Sequence, residues 1–288
     1  MARQVVGRFA PSPTGHLHLG SLVTAVASFC ATKAVGGRWL LRLEDTDSAR
    51  TSRAFADSIL ADLDKLGLHW DALSYQSARQ DTYKALMENA KALIYPCQCS
   101  RKTLQGHAIY PRLCVGAKLT PPHTKWRLML PDSHYVFYDG IQGIQWQNPQ
   151  QSLGDVVIYR EHIVNYIWAC AIDDGLQGVN QLVRGLDILP MTAAQLAIQQ
   201  LLRLPTPDTF YHLPLLYNAC GQKLSKQTLA TPLDTRKPDQ LLINALTLLE
   251  QDTNGLIGLD CQQILATACT RWDIKPLQGQ QSIAGVFS

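Results

Sequence analysis

Apolar positions recur along the chain with two different periods, and the alternation between them outlines a fold. Val5 and Val6 suggest a short buried strand. Leu22, Val23, Val26, Ala27 and Phe29 then return at helical spacing and predict a helix over about 21–35, stopped by Gly36-Gly37. Residues 39–43 read as a second strand, ending in Glu44-Asp45-Thr46-Asp47. Phe55, Ile59, Leu63 and Leu66 give a second helix its core face, with Ser52 as its cap and Gly67 as its end. Ser77 with Gln80 resembles a capping box ahead of Tyr83, Leu86, Met87, Ala90 and Leu93, again at helical spacing.

Tyr95-Pro96 breaks this rhythm. From there to about Gln151 the sequence is irregular, with strand-like pieces at 125–130 and 134–138 and a Gln-rich polar segment over 142–151. A strand at 155–159, an apolar run at 166–172 ending in Asp173-Asp174-Gly175, a segment at 178–184 and a helix over about 191–202 resume the alternation. Strands alternating with helices predict an α/β fold with a mostly parallel sheet. Beyond Pro238, two apolar stripes (Leu241, Leu242, Ala245, Leu246 and Leu249, then Ile264, Leu265, Ala268 and Trp272) predict a pair of helices. The expected division is 1–95 and 152–230 as two halves of one α/β domain, 96–151 as an insertion, and 231–288 as a small helical C-terminal region.

Composition narrows the class. The chain has 288 residues, of which 46% are hydrophobic and 17% charged, so a real core is available. A net charge of +3 permits a nucleic-acid partner without demanding one. No apolar run approaches a membrane span, and the N-terminus lacks the apolar stretch of a signal peptide, so a cytoplasmic protein with no membrane partner is expected. In that compartment the eight cysteines are thiols or metal ligands rather than disulfides.

Three places carry candidate chemistry. Residues 8–21, Arg-Phe-Ala-Pro-Ser-Pro-Thr-Gly-His-Leu-His-Leu-Gly-Ser, run from a strand through a turn to a helix start. Helix N-termini present free N–H groups and partial positive charge, which suits a phosphate near His18, Gly20 and Ser21. A tight strand-to-helix connection with incidental histidines fits the same spacing. The carboxylates of Glu44, Asp45 and Asp47 fall where a parallel sheet's carboxyl edge binds ligands, or where helices are capped. Lys223-Leu224-Ser225-Lys226 follows Gly221 and, taken alone, reads as a solvated basic loop. Separately, Cys97, Cys99 and Cys114 cluster in the irregular stretch, where thiolates suit Zn²⁺ and a fourth ligand is required. His107 is the ordinary chemical choice for that ligand, and three free thiols are the alternative to any metal.

Taken in order, these stretches resemble the catalytic domain of class I aminoacyl-tRNA synthetases, specifically the glutamyl branch. His18-Leu19-Gly20-Ser21 looks like the HIGH signature, and Lys223-Leu224-Ser225-Lys226-Gln227 looks like KMSKS. Arg-Phe-Ala-Pro-Ser-Pro-Thr-Gly and Leu-Arg-Leu-Glu-Asp-Thr-Asp are similar to glutamyl enzymes. Those enzymes carry a long C-terminal anticodon-binding region, which the 61 residues after Gln227 cannot supply. The chain therefore resembles the shortened glutamyl-queuosine tRNA(Asp) synthetase family, which attaches glutamate to the queuosine base at the wobble position.

The resemblance implies a Rossmann-type doubly wound sheet with a zinc-containing insertion and a C-terminal helical appendage. It implies ATP, accompanied by Mg²⁺, bound by His18, Gly20, Ser21, Lys223 and Lys226, with His18 and Lys226 as catalytic groups. It places L-glutamate on Arg8, Ala10, Ser12, Glu44, Tyr166 and Arg184, where an arginine fork suits the side-chain carboxylate. Arg184 as a structural salt-bridge partner is the competing reading. Tyr110-Pro-Arg-Leu-Cys114 matches the family's Tyr-x-x-x-Cys, which makes Tyr110 the fourth ligand of a structural Zn²⁺ with Cys97, Cys99 and Cys114. One departure stands out: Arg160-Glu161-His162 replaces the family's Arg-Asp-Gly just before Tyr166, which bears on the local loop. The expected partner is tRNA(Asp) carrying queuosine and the expected assembly a monomer. A glutamyl-tRNA synthetase charging the 3′ end and a non-catalytic RNA-binding relative are the competing functions.

Overall fold

The computed structural model describes residues 3–119, 125–218 and 233–286. The chain opens with β1 (Val6–Phe9), α1 (Leu19–Lys33), β2 (Arg38–Leu43), α2 (Arg53–Lys65), β3 (Ala72–Tyr75) and α3 (Gln80–Asn89). β4 (Ile94–Cys97), β5 (Lys125–Leu128), β6 (Tyr135–Asp139), β7 (Gly143–Gln147) and the short α4 (Pro149–Ser152) follow. Next come β8 (Val156–Arg160), β9 (Ile163–Val164), α5 (Tyr166–Leu176), β10 (Gln181–Gly185), α6 (Thr192–Leu201), β11 (Thr209–Leu213) and β12 (Leu215–Asn218). The C-terminal part holds α7 (Pro238–Leu248), α8 (Cys261–Arg271) and β13 (Ser282–Val286).

The main sheet runs β3-β2-β1-β10-β11-β6-β7. It is parallel from β3 to β6, and β7 closes it as an antiparallel edge. The chain steps outward from β1 to β3 and later returns to β10 on the other side of β1. The crevice between β1 and β10 is therefore the topological switch point, where open α/β sheets bind ligands. A second, antiparallel sheet has the order β4-β5-β8-β9. The stretch 96–151 is thus shared: β5 builds the small sheet, whereas β6 and β7 extend the main one. β8 and β9, beyond 151, also belong to the small sheet.

Helix α1 sits tightly on the main sheet. A Cβ added at Gly7 would fall 2.0 Å from Thr32 Oγ1, so β1 and α1 approach as only glycine allows. Ser28 Oγ donates to the Arg8 carbonyl at 2.9 Å and accepts from Trp39 Nε1 at 3.0 Å, tying helix and two strands together. The apolar faces of α7 and α8 enter the same core as α1, through Leu242, Leu246, Ile264 and Leu265. The expected helical appendage is thus packed on α1, and its terminal β13, unanticipated, pairs in parallel with β12. Among the described residues no helix is long and apolar enough to cross a membrane.

Several local expectations change. α1 starts at Leu19 with His18 as its N-cap rather than at Ser21. No capping box forms at Ser77: its N–H and Oγ instead bond the Asp45 carboxylate at 2.7 and 2.6 Å. The run 166–172 is helical, because a short apolar run does not distinguish a buried strand from a buried helix. Ser52 holds the N-cap position of α2 without a side-chain cap bond.

The departure at Arg160-Glu161-His162 has a visible cost. Arg160 pairs with Ile163, so Glu161 and His162 form a two-residue hairpin loop, and both have positive φ, 50° and 68°. Such loops favour Asn-Gly or Asp-Gly. Both side chains are exposed and make no buried contact. Replacing Glu161→Asn together with His162→Gly should stabilise the protein by about 1 kcal/mol, a rise of roughly 2–4 °C in a thermal melt.

Candidate active site at the sheet switch point

Arg8 near the end of β1 and Arg184 on β10 flank the switch point, and the loop after β1 closes it. Glu44 N–H donates to the Pro11 carbonyl at 3.0 Å, and Ser52 N–H to that of Pro13 at 3.0 Å. These bonds hold Ala10 and Ser12 beside the segment that follows β2. A cavity of about 370 Å³ results, and Arg8, Ala10, Ser12, Glu44, Tyr166 and Arg184 all line it. Thr24, Ile188 and Met191 are also in its wall. The six residues proposed for one ligand thus share one cavity.

Its floor is a buried charge network. Asp174 on α5 accepts from Arg8 at 3.2 and 3.4 Å and lies 2.8 Å from Arg42 Nη1. Arg42 reaches Glu44 at 3.4 Å and Gln177 at 3.0 Å. Asp173 binds the Arg79 guanidinium at 2.6 Å, with Gln76 and Tyr83 donating to it at 3.0 and 2.7 Å. Burial works against ionisation of Asp174, but the Arg8 and Arg42 charges hold its carboxyl at about 2. At Glu44 burial prevails, and its pKa is raised despite the opposing pull of Arg42 and Arg8.

Arg184 differs from Arg8 and Arg42. It is 4% exposed, and its hydrogen-bond partners are uncharged. Nε donates to His212 Nε2 at 3.0 Å, Nη1 to Gln195 at 2.6 Å and Nη2 to Thr192 at 2.9 Å. Burial pushes the His212 pKa down to about 4; Asp139 pulls against that shift, and the Arg184 charge adds to it. His212 is thus neutral at pH 7. An unpaired buried cation is costly unless a ligand anion meets it.

At the N-terminus of α1, Ser21 N–H donates to His18 Nδ1 at 3.3 Å. Nδ1 is therefore an acceptor, and the ring proton sits on Nε2, 3.1 Å from Ser21 Oγ. His18, Gly20 and Ser21 share this helix start, which suits an anion. Lys223 and Lys226 lie outside the described residues.

Away from this cavity, the Sγ atoms of Cys97, Cys99 and Cys114 lie within 4.8 Å of one another and could hold a metal ion. The Tyr110 hydroxyl is 3.6 Å from Cys97 Sγ and 3.7 Å from Cys99 Sγ, whereas His107 is exposed and outside the cluster. Burial opposes ionisation of Cys97, yet hydrogen bonds from Arg127 and Tyr110 bring its thiol down to about 7. Three thiols and a phenol in a buried pocket are a chemically sound donor set for Zn²⁺. Arg127 stacks 3.7 Å above the Tyr110 ring and fixes its direction.

Residues 4–109 and 122–253 match the family model described as tRNA synthetases class I (E and Q), catalytic domain. The chain belongs to this class I E and Q family. Among similar class I E and Q proteins is the glutamyl-Q tRNA(Asp) synthetase of Acinetobacter baylyi, 41% identical over 98% of this chain and 97% of its own. Its counterpart from Thiobacillus denitrificans is 42% identical over 94% of each chain. A glutamate tRNA ligase structure from Elizabethkingia meningosepticum superposes with a TM-score of 0.79 at 22% identity, covering 99% of this chain and 67% of that one. That likeness bears on the fold: the sheet and its switch point are those of a class I synthetase domain.

Arg42, Asp139, Asp173, Asp174 and His212 escape the sequence reading as site residues. Arg42 leaves a signal, as a lone charge inside the apolar segment 39–43, and Asp173-Asp174 another, directly after an apolar run. His212 and Asp139 leave none.

The buried network sets an acid limit on stability. Asp174 and His212 both bind protons more weakly when folded, so the unfolded state gains protons first and stability falls as pH falls. The His212 share is lost between its ordinary 6.5 and about 4, and the Asp174 share between 3.8 and about 2. Glu44, with a raised pKa, acts in the opposite direction. Thermal melts should show a midpoint that drops steadily below about pH 6.5; a flat profile down to about pH 4.5 would contradict this assignment.

Proposed function

We propose that the protein activates L-glutamate with ATP and transfers the glutamyl group to the queuosine base in the anticodon loop of tRNA(Asp). The observation that carries the acidic substrate is Arg184, a buried guanidinium with only uncharged partners, in the same cavity as the Glu44 carboxylate. The choice of glutamate and of a queuosine-bearing tRNA is supported by the names of the relatives that align over nearly the whole chain.

In the first step an α-carboxylate oxygen of glutamate attacks the α-phosphorus of ATP. The bond to the β-phosphate oxygen breaks, leaving glutamyl-adenylate and pyrophosphate. Arg184 binds the side-chain carboxylate and Glu44 the α-ammonium group. Arg8, held by Asp174, adds positive potential near the α-carboxylate, and Ala10, Ser12 and Tyr166 shape the remaining wall. His18 donates from Nε2 toward phosphate at the start of α1, with Gly20 and Ser21 beside it. Lys226, with Lys223 as the weaker partner, neutralises the phosphate charge that develops. Mg²⁺ accompanies ATP. In the second step a hydroxyl of the queuosine ring attacks the activated carbonyl, AMP leaves, and an ester forms. Catalysis here is mainly positioning and charge stabilisation.

Cys97, Cys99, Tyr110 and Cys114 hold a structural Zn²⁺ that clips the loop after β4. The protein works in the cytoplasm as a monomer, with 1–95 and 152–230 as the catalytic halves, 96–151 as an insertion that lends β6 and β7 to the main sheet, and 231–288 as the C-terminal region.

Incubation with ATP, labelled glutamate and tRNA(Asp) should label the RNA only when it carries queuosine. Equal labelling of queuosine-free tRNA would replace this reading with charging of the 3′ end, and no adenylate at all would favour a binding protein. Arg184→Gln should raise the glutamate KM by about 100-fold, as expected for a charged hydrogen bond lost in a buried site. Elemental analysis should find one equivalent of zinc in the purified protein, and Cys114→Ser should lose it and melt earlier; full zinc content in that variant would remove Cys114 from the ligand set.

A further inference from the structure

Three strand neighbours form a chain of buried polar groups that ends in the amino-acid cavity. Asp139 closes β6, His212 lies on β11 and Arg184 on β10, and Arg184 and His212 are register partners. All three are almost fully buried. The ring nitrogen Nδ1 lies 2.5 Å from Asp139 Oδ2, and Nε2 lies 3.0 Å from Arg184 Nε. Arginine has no acceptor, so Nε2 must accept and the ring proton must sit on Nδ1, donated to Asp139.

The consequence for Arg184 is specific. Of its five N–H groups, one goes to His212, one to Gln195 and one to Thr192. One N–H then remains on each terminal nitrogen, the pair a carboxylate needs for bidentate binding. We propose that Asp139 and His212 are positioning residues that lock the Arg184 fork and so set the preference of the pocket for an acidic side chain over its amide. The proposal rests on the glutamate-activating reading.

Asp139 offers a near-isosteric test. Its Oδ1 already accepts from the N–H groups of Ile141 at 3.0 Å, Gln142 at 2.9 Å and His212 at 3.3 Å. In Asp139→Asn the amide oxygen keeps those bonds, and the NH₂ group falls opposite His212 Nδ1. The ring must then accept at Nδ1 and carry its proton on Nε2, directly against the Arg184 Nε–H. The wrong tautomer turns a hydrogen bond into a donor–donor clash without removing a heavy atom.

Glutamate-dependent ATP–pyrophosphate exchange, measured with tRNA present, reads the effect. Asp139→Asn should raise the glutamate KM about 10-fold or more, as for a charged buried hydrogen bond lost. The same variant should lower the glutamate-over-glutamine ratio of kcat/KM by a similar factor and change the ATP KM by less than about 3-fold. His212→Gln, whose amide oxygen can accept from Arg184, should retain more of that preference than His212→Asn, whose shorter amide cannot. Nitrogen-15 spectra of wild type should report the Nδ1–H tautomer and those of Asp139→Asn the Nε2–H form. Equal changes in the glutamate and ATP KM values, an unchanged glutamate KM, or an Nε2–H ring in wild type would each overturn the proposal. Absence of glutamate-dependent exchange in the wild type would instead overturn the reading on which it rests. If Asp139→Asn does not fold, the two His212 variants and the wild-type spectrum still decide.

Discussion

The site depends on one carboxylate. Asp174 receives Arg8 from β1 and Arg42 from β2, and so joins both first-half strands to α5 in the second half. Buried ion pairs of this kind contribute little net stability, since desolvation offsets most of the attraction. Their effect here is on direction. Arg8 is turned along the cavity floor, Arg42 is drawn toward Glu44, and Glu44 is left facing the space between β1 and β10. Removing Asp174 would strip Arg8 of its carboxylate partner and leave Arg42 with Glu44 and Asp173 alone, so the network loses the charge at its centre.

That network sits on a packing constraint. The closeness of Gly7 to Thr32 and the Ser28 bridge to Arg8 and Trp39 seat α1 firmly against β1 and β2. Thr24 of α1 thereby lines the same cavity as Arg8. Chain topology adds the other wall, because β10 returns beside β1 and brings Arg184 with it. Helices α7 and α8 press on the far side of α1, so the C-terminal segment supports the helix whose start carries His18.

Much of this was legible beforehand, and the part that was not has a common physical cause. Period and breakers identify α1, α2, β2, β8 and α6 within a few residues, because each buries one face or one short run. The strands β3 and β7 pass unnoticed, being partly exposed and short. Residues that the family resemblance assigns to one substrate do share one cavity, yet of the residues that orient them only Arg42 and the Asp173-Asp174 pair leave a local signal. Asp174 reads locally as the polar end of an apolar run and Asp45 as part of a ligand-edge cluster, whereas Asp45 in fact anchors Ser77. A side chain whose purpose is to hold another side chain from a distant strand leaves no local spacing to detect. His212 is the clearest case, an isolated histidine in an apolar strand whose meaning depends on register with Arg184.

Charge accounting explains why two arginines in one cavity need not do the same thing. Arg8 and Arg42 are balanced within the protein by Asp174 and Glu44, and Asp173 is balanced by Arg79. Arg184 is braced by neutral acceptors, and Asp139 reaches it only through the neutral His212 ring. The four arginines Arg8, Arg42, Arg79 and Arg184 and the four acids Glu44, Asp139, Asp173 and Asp174 balance overall, but the Arg184 fork meets Asp139 only through a neutral ring. A ligand with a side-chain carboxylate can meet that fork directly, whereas an amide brings no charge to it. In a low-dielectric cavity a buried charge without a direct partner is costly, so a preference for an acidic ligand would follow from what the protein withholds from the Arg184 fork as much as from what it offers the ligand.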